Sequence, residues 1–124
     1  MPNRPVDLNL LKLHLPLMGW VSILHRVTGV VLLIGLPLTL YQLQQSLVSA
    51  AGFAETINLL NSVWGALIVW LLLVSLAFHV FSGIRHLALD VHVGVEKNAA
   101  RRSAMLVLVA SGLLAILIAG WLLW

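Results

Sequence analysis

Residues 57–84 read INLLNSVWGALIVWLLLVSLAFHVFSGI and contain no aspartate, glutamate, lysine or arginine. An α-helix needs about 20 mainly apolar residues to cross the hydrocarbon of a bilayer. Residues 27–47 and 103–124 form two further runs of that length, and none of the three runs alternates with the period of a strand. Hydrophobic residues make up 61% of the chain and charged residues 9%, which excludes an ordinary soluble domain. The sequence predicts an all-α integral membrane protein, a single domain over residues 1–124 with three transmembrane helices.

The basic residues all lie on one side of this three-helix arrangement. Residues 48–56, between the first two spans, contain no lysine or arginine. Loops on the cytoplasmic side of a membrane are enriched in lysine and arginine, so we expect a cytoplasmic N-terminus and a periplasmic C-terminus. The net charge of +3 is then a topological signal and does not indicate a nucleic-acid partner. The seven basic residues are Arg4, Lys12 and Arg26, before the first span, and Arg85, Lys97, Arg101 and Arg102, around the connection between the second and third.

Residues 1–26 do not have the pattern of a cleaved targeting peptide. Asp7, Lys12 and Pro16 interrupt the apolar core that a secretory signal requires, and no arginine- and serine-rich transit peptide is present. We therefore expect a retained cytoplasmic or interfacial segment. This reading favours a bacterial inner membrane, with a mature mitochondrial chain as the alternative.

The absence of cysteine limits the redox chemistry that the chain itself can carry. Iron–sulfur clusters require thiolate ligands, and covalent c-type haem requires the C-x-x-C-H motif. No glycine-rich dinucleotide fingerprint is present either. Any redox role would therefore depend on a non-covalent haem, a quinone or both.

Two groups of polar residues lie near the ends of the apolar runs. His79 and His86 are seven residues apart, which is about two turns and places both on one helix face, with Gly83 between them. Ser22, His25 and Arg26 have spacings of three and four, which also share a face. Ionisable residues inside a membrane segment indicate a functional site. The alternatives are that the histidines only bond to neighbouring helices and that Arg26 only reaches toward interfacial water.

Both groups belong to longer patterns. In the first, Arg4-Pro5-Val6 is followed by Ser22, His25-Arg26 and Thr28-Gly29. In the second, His79 is followed by Gly83-Ile84-Arg85-His86 and Asp90. The two patterns resemble those of the cytochrome b membrane-anchor subunit family of succinate dehydrogenase, respiratory complex II. The resemblance extends over nearly the whole chain, and Leu89, where the family usually has an aromatic residue or methionine, is a departure that touches no ligand.

The resemblance implies roles for individual residues. His79 would be an axial ligand of a b-type haem iron, with the second ligand supplied by a partner anchor subunit. His25, Arg26 and His86 would lie near the haem propionates, and Ser22 and Arg26 would help to form a ubiquinone site beside the iron–sulfur subunit. The chain itself would perform no catalysis when isolated.

The resulting hypothesis is a haem b-binding anchor that passes electrons from a flavoprotein and an iron–sulfur subunit to ubiquinone. The anchor of a quinol-fumarate reductase and a structural anchor without haem remain alternatives. A proton-coupled transporter is disfavoured because no aspartate or glutamate lies within the three predicted spans.

The topology can be tested with reporter fusions. A reporter that is active only in the periplasm should work when fused after Trp124 and fail when fused near Asn98, because the basic residues favour the cytoplasm. The reverse pattern of reporter activity would overturn the predicted orientation.

Overall fold

The computed structural model describes residues 15–124, and every regular element in this range is an α-helix. Three of the helices are long and apolar enough to cross a membrane, which confirms the predicted all-α, three-span class. Residues 1–14, including Arg4 and Lys12, lie outside the described part of the chain. The helices are α1 (Leu17–Val48), α2 (Ala50–Leu60), α3 (Val63–Asp90) and α4 (Lys97–Leu123).

The first helix is longer than the expected span of residues 27–47. It begins at Leu17, directly after Pro16, whose carbonyl accepts backbone hydrogen bonds from Gly19 and Trp20. Ser22, His25 and Arg26 therefore lie in the first three turns of α1. Similarly, α4 begins at Lys97 rather than at residue 103.

The second apolar run is divided between two helices. Ser62 is the N-cap of α3, and its side chain accepts a hydrogen bond from the backbone N–H of Gly65 at 3.0 Å. Such a cap satisfies one of the unpaired N–H groups of a first turn. The chain turns so tightly here that a Cβ on Gly65 would collide with the Leu59 carbonyl oxygen. Most of the expected span of residues 57–84 belongs to α3, whose last residue is Asp90.

Residues 48–56, expected as a loop, mostly belong to the short helix α2. Ser49 caps it by accepting from the Gly52 N–H at 3.0 Å. Gln42 of α1 donates to the Thr56 hydroxyl at 3.0 Å, which ties α2 to the long helix before it. This helix therefore folds back against the bundle.

The core of the bundle lies where α1, α3 and α4 meet. Val21, Phe78, Ala104 and Val107 form a buried apolar cluster. Small side chains on α4 allow the close approach of neighbouring helices that is typical of membrane bundles. Most other large apolar side chains of the long helices are exposed, as expected for surfaces that face lipid or another subunit.

Arg85 connects α3 to α4 in the interior of the bundle. Only 7% of its surface is exposed, although its position in the sequence groups it with the basic residues around the connection between the second and third spans. Its Nε donates to Ser103 Oγ at 3.0 Å, and a terminal nitrogen donates to the Ala100 carbonyl at 3.2 Å. Both bonds connect the Arg85 side chain to the first two turns of α4.

Replacing Arg85 should weaken the pairing of α3 with α4. We expect Arg85→Leu to lower the stability of the detergent-solubilised assembly by on the order of 1–3 kcal/mol, because interhelical hydrogen bonds in membranes contribute about 0.6–1.7 kcal/mol each. Thermal unfolding measures the change, and Arg102→Leu, which alters an exposed arginine of α4, is the matched control. Equal melting temperatures for both variants would contradict the proposed link.

Candidate functional site

Three histidines from two helices meet beside the buried core. The ring of His25 on α1 stacks on that of His79 on α3, with centroids 4.2 Å apart and planes 19° from parallel. The His86 ring lies 5.0 Å from the His25 ring and is tilted by 42°. The structure therefore brings together the three histidines that the sequence analysis selected, which we call the histidine cluster.

The His79 ring is held through one of its two nitrogens. Its Nδ1 lies 3.1 Å from the His25 carbonyl oxygen and 3.3 Å from the Thr28 hydroxyl oxygen. A carbonyl oxygen can only accept, so Nδ1 must carry the proton. In a neutral imidazole the other nitrogen, Nε2, then carries a lone pair that can bind a metal.

Gly29 allows this close contact between the His79 ring and the backbone of α1. A Cβ at position 29 would lie only 3.2 Å from His79 Cε1. That distance is shorter than an ordinary van der Waals contact between carbon atoms. A side chain at position 29 would therefore press directly on the imidazole.

The His25 side chain has hydrogen-bonding capacity that the described residues do not use. Its Nε2 atom is buried and has no hydrogen-bond partner among residues 15–124. A Cβ on Gly83 would lie 3.5 Å from this atom, so the His25 ring lies directly beside the bare backbone of Gly83. A buried, unsatisfied polar atom is costly unless another group completes it.

The cluster does not form a site for a free metal ion within the described residues. No group of three or more histidine and carboxylate side chains in residues 15–124 is placed to hold one ion. The geometry instead presents one oriented imidazole, His79, with two more imidazoles beside it. Such an arrangement suits a cofactor that takes one protein ligand from this chain.

Ser22 and Arg26 lie on α1 one turn apart, on either side of the cluster residue His25. Ser22 is half-buried and Arg26 is exposed. Within the described residues, the ring contacts and hydrogen bonds of the histidine cluster involve neither side chain. Their predicted role in binding a quinone remains a prediction.

An apolar cavity of about 480 Å³ lies toward the other end of the bundle, between α1, α2 and α3. Gln42 and Thr56 are among the few polar residues in its wall. It shares no residue with the histidine cluster, with Ser22 or with Arg26. The geometry therefore does not connect this cavity with the predicted site.

Thr28 contacts His79 but was not among the residues predicted for the site. The sequence contained a signal for it, because Thr28 follows His25 by three residues and shares its helix face. The contact depends on how α1 packs against α3, which residue spacing does not determine.

Comparison with known proteins identifies the family. The sequence model of the succinate dehydrogenase/fumarate reductase transmembrane subunit family matches residues 1–118. The chain belongs to this family. It is 42% identical over 123 residues to a succinate dehydrogenase cytochrome b556 subunit of Coxiella burnetii, which covers 98% of both chains.

Two further relatives come from other organisms. A succinate dehydrogenase cytochrome b556 subunit of Paracoccus denitrificans is 32% identical over 115 residues, 93% of this chain and 88% of the relative. A succinate dehydrogenase cytochrome b560 subunit of Reclinomonas americana is 34% identical over 99 residues, 76% of this chain and 69% of the relative. The resemblance to the cytochrome b anchor subunits of complex II is thereby confirmed.

Proposed function

We propose that this chain is the haem b-binding membrane anchor of a succinate dehydrogenase and that it passes electrons from an iron–sulfur subunit to ubiquinone. The observation that carries the proposal is the orientation of His79, whose Nδ1 faces the His25 carbonyl and leaves Nε2 available as a ligand. Histidine ligands of metals commonly donate their second ring nitrogen to a carbonyl in this way. The relatives named cytochrome b subunits support the same assignment.

The residues of the cluster fit a haem with two propionates. His79 would supply one axial ligand, while His25, Arg26 and His86 would neutralise or hydrogen-bond the propionates. The unsatisfied Nε2 atom of His25 supports this role because a carboxylate can complete it. The haem supplies one-electron chemistry, and the protein sets its orientation and electrostatics.

The second axial ligand would come from a partner anchor subunit, because the described residues place only His79 in this way. The partners are then a second anchor, an iron–sulfur subunit and a flavoprotein subunit. We place the assembly in a bacterial inner membrane, in line with the relatives from Coxiella and Paracoccus. The N-terminus would be cytoplasmic, as the basic residues indicate.

Ser22 and Arg26 would bind the ubiquinone head group at the cytoplasmic end of α1. The Ser22 hydroxyl can donate to a quinone carbonyl, and the Arg26 guanidinium can stabilise negative charge that develops on it. Arg26 is exposed near the N-terminal end of α1, and a cytoplasmic position of this end would give the reduced quinone access to protons from water. The anchor of a fumarate reductase would use the same residues with electron flow reversed.

The haem assignment is tested by substituting single histidines in the purified complex. We expect His79→Ala to abolish or alter the low-spin haem spectrum, because the iron loses a direct ligand. His86→Ala should change it less, since a propionate neighbour affects mainly potential or occupancy. Optical and electron paramagnetic resonance spectra measure the difference.

A matched control is His92→Asn, which alters the histidine after α3. His92 has a φ of 62°, a conformation that asparagine tolerates. A parental haem spectrum in His79→Ala would rule out the ligand assignment. A parent complex that reduces quinone without any haem would support the structural anchor instead.

The quinone site is tested with Ser22→Ala and Arg26→Leu. Loss of one preorganised donor costs about 10²–10³-fold in buried oxyanion sites, and since water can substitute here we expect a slowing of about tenfold or more. Succinate oxidation by an artificial dye that accepts electrons before the quinone should stay near the parental rate.

Ser46→Ala is the control for Ser22→Ala, because Ser46 is also half-buried on α1 but lies at its other end and bonds to the Leu43 carbonyl. Ser22→Ala should assemble with normal haem content, whereas Arg26→Leu also removes a propionate neighbour, so its quinone reduction rate is expressed per bound haem. Ubiquinone reduction at the parental rate in both would place the quinone site elsewhere.

A further inference from the structure

We propose that Thr28 is a positioning residue for His79, and that its hydroxyl oxygen shares the Nδ1 proton of His79 with the His25 carbonyl. The inference rests on the proposed function, because it concerns how strongly His79 donates to a haem iron. Thr28, a residue of α1, would then influence how strongly His79, a residue of α3, binds the iron.

The direction of the Thr28 hydrogen bond follows from its other partners. The hydroxyl lies 2.9 Å from the Leu24 carbonyl and 3.0 Å from the His25 carbonyl. Both are acceptors, so they take the single hydroxyl proton. Toward His79 Nδ1, at 3.3 Å, Thr28 can therefore only accept.

Two acceptors then converge on one imidazole N–H. The shorter contact is to the His25 carbonyl at 3.1 Å, and the Thr28 oxygen lies 0.2 Å farther away, at 3.3 Å. Together with the bare backbone at Gly29, they define the plane and the rotation of the His79 ring. The ring is fixed from α1 although its own backbone belongs to α3.

The chemical consequence concerns the electron density on Nε2. When Nδ1–H donates to good acceptors, the imidazole becomes a more basic ligand, and hydrogen bonds of this kind tune metal sites. A more basic ligand stabilises ferric over ferrous iron. Removal of the Thr28 oxygen should therefore raise the midpoint potential of the haem.

The test compares Thr28→Val with two further variants in the purified, haem-containing complex. Valine keeps the branched shape of threonine and removes the oxygen, whereas Thr28→Ser keeps the oxygen. Thr39→Val is the matched control, because the Thr39 hydroxyl also bonds to a carbonyl of its own helix, that of Gly35, but has no hydrogen bond to a histidine among residues 15–124. A redox titration followed by the haem absorbance gives the potential of each variant.

We expect Thr28→Val to raise the potential while haem content and the low-spin spectrum stay near parental. Thr28→Ser and Thr39→Val should keep the parental potential. If Thr28→Val does not assemble, Thr28→Ala removes the same oxygen and is read by the same titration.

An unchanged potential in a low-spin Thr28→Val or Thr28→Ala complex would overturn the positioning role and leave the haem proposal intact. Loss of haem from both variants, with haem retained in Thr28→Ser and Thr39→Val, would also overturn it, because Thr28 would then act in assembly. A parent complex without haem would refute the proposed function first, and this inference with it.

Discussion

The cost of an unpaired polar group in hydrocarbon is the constraint on which this structure depends. Side chains that can hydrogen-bond within long apolar helices are stabilised by partners inside the protein. Thr39 bonds to its own helix, Gln42 to Thr56 of α2, and Trp70 of α3 to the Ala115 carbonyl of α4. The bonds of Gln42 and Trp70 join different helices and fix their relative positions where apolar contacts with lipid would not.

The polar contacts also make the two ends of the bundle different. At one end, the histidine cluster, the Arg85 bonds and the apolar core lie together, so α1, α3 and α4 are linked by several kinds of contact. At the other end, α2 leaves an apolar cavity beside α1 and α3. The predicted site residues therefore lie at the end of the bundle where more contacts link the helices.

Much of the fold was predictable from the sequence, because apolar runs of sufficient length directly indicate membrane helices. The start of α3 was missed since Ser62 interrupts an apolar run through one local capping bond, which hydropathy does not register. The spacing of His79 and His86 predicted a shared face. Their contact with His25, and the burial of Arg85, depend on the packing of separate helices and so needed the structure.

The hydrogen bond from His79 Nδ1 to the His25 carbonyl has a consequence for which substitutions the site can accept. A main-chain oxygen is present whichever residue occupies position 25. Substitution there changes the stacked ring and the group offered to a propionate, yet the main-chain acceptor for the ligand persists. The orientation of the ligand and the electrostatic surroundings of the cofactor can therefore vary independently, although both arise from a single residue.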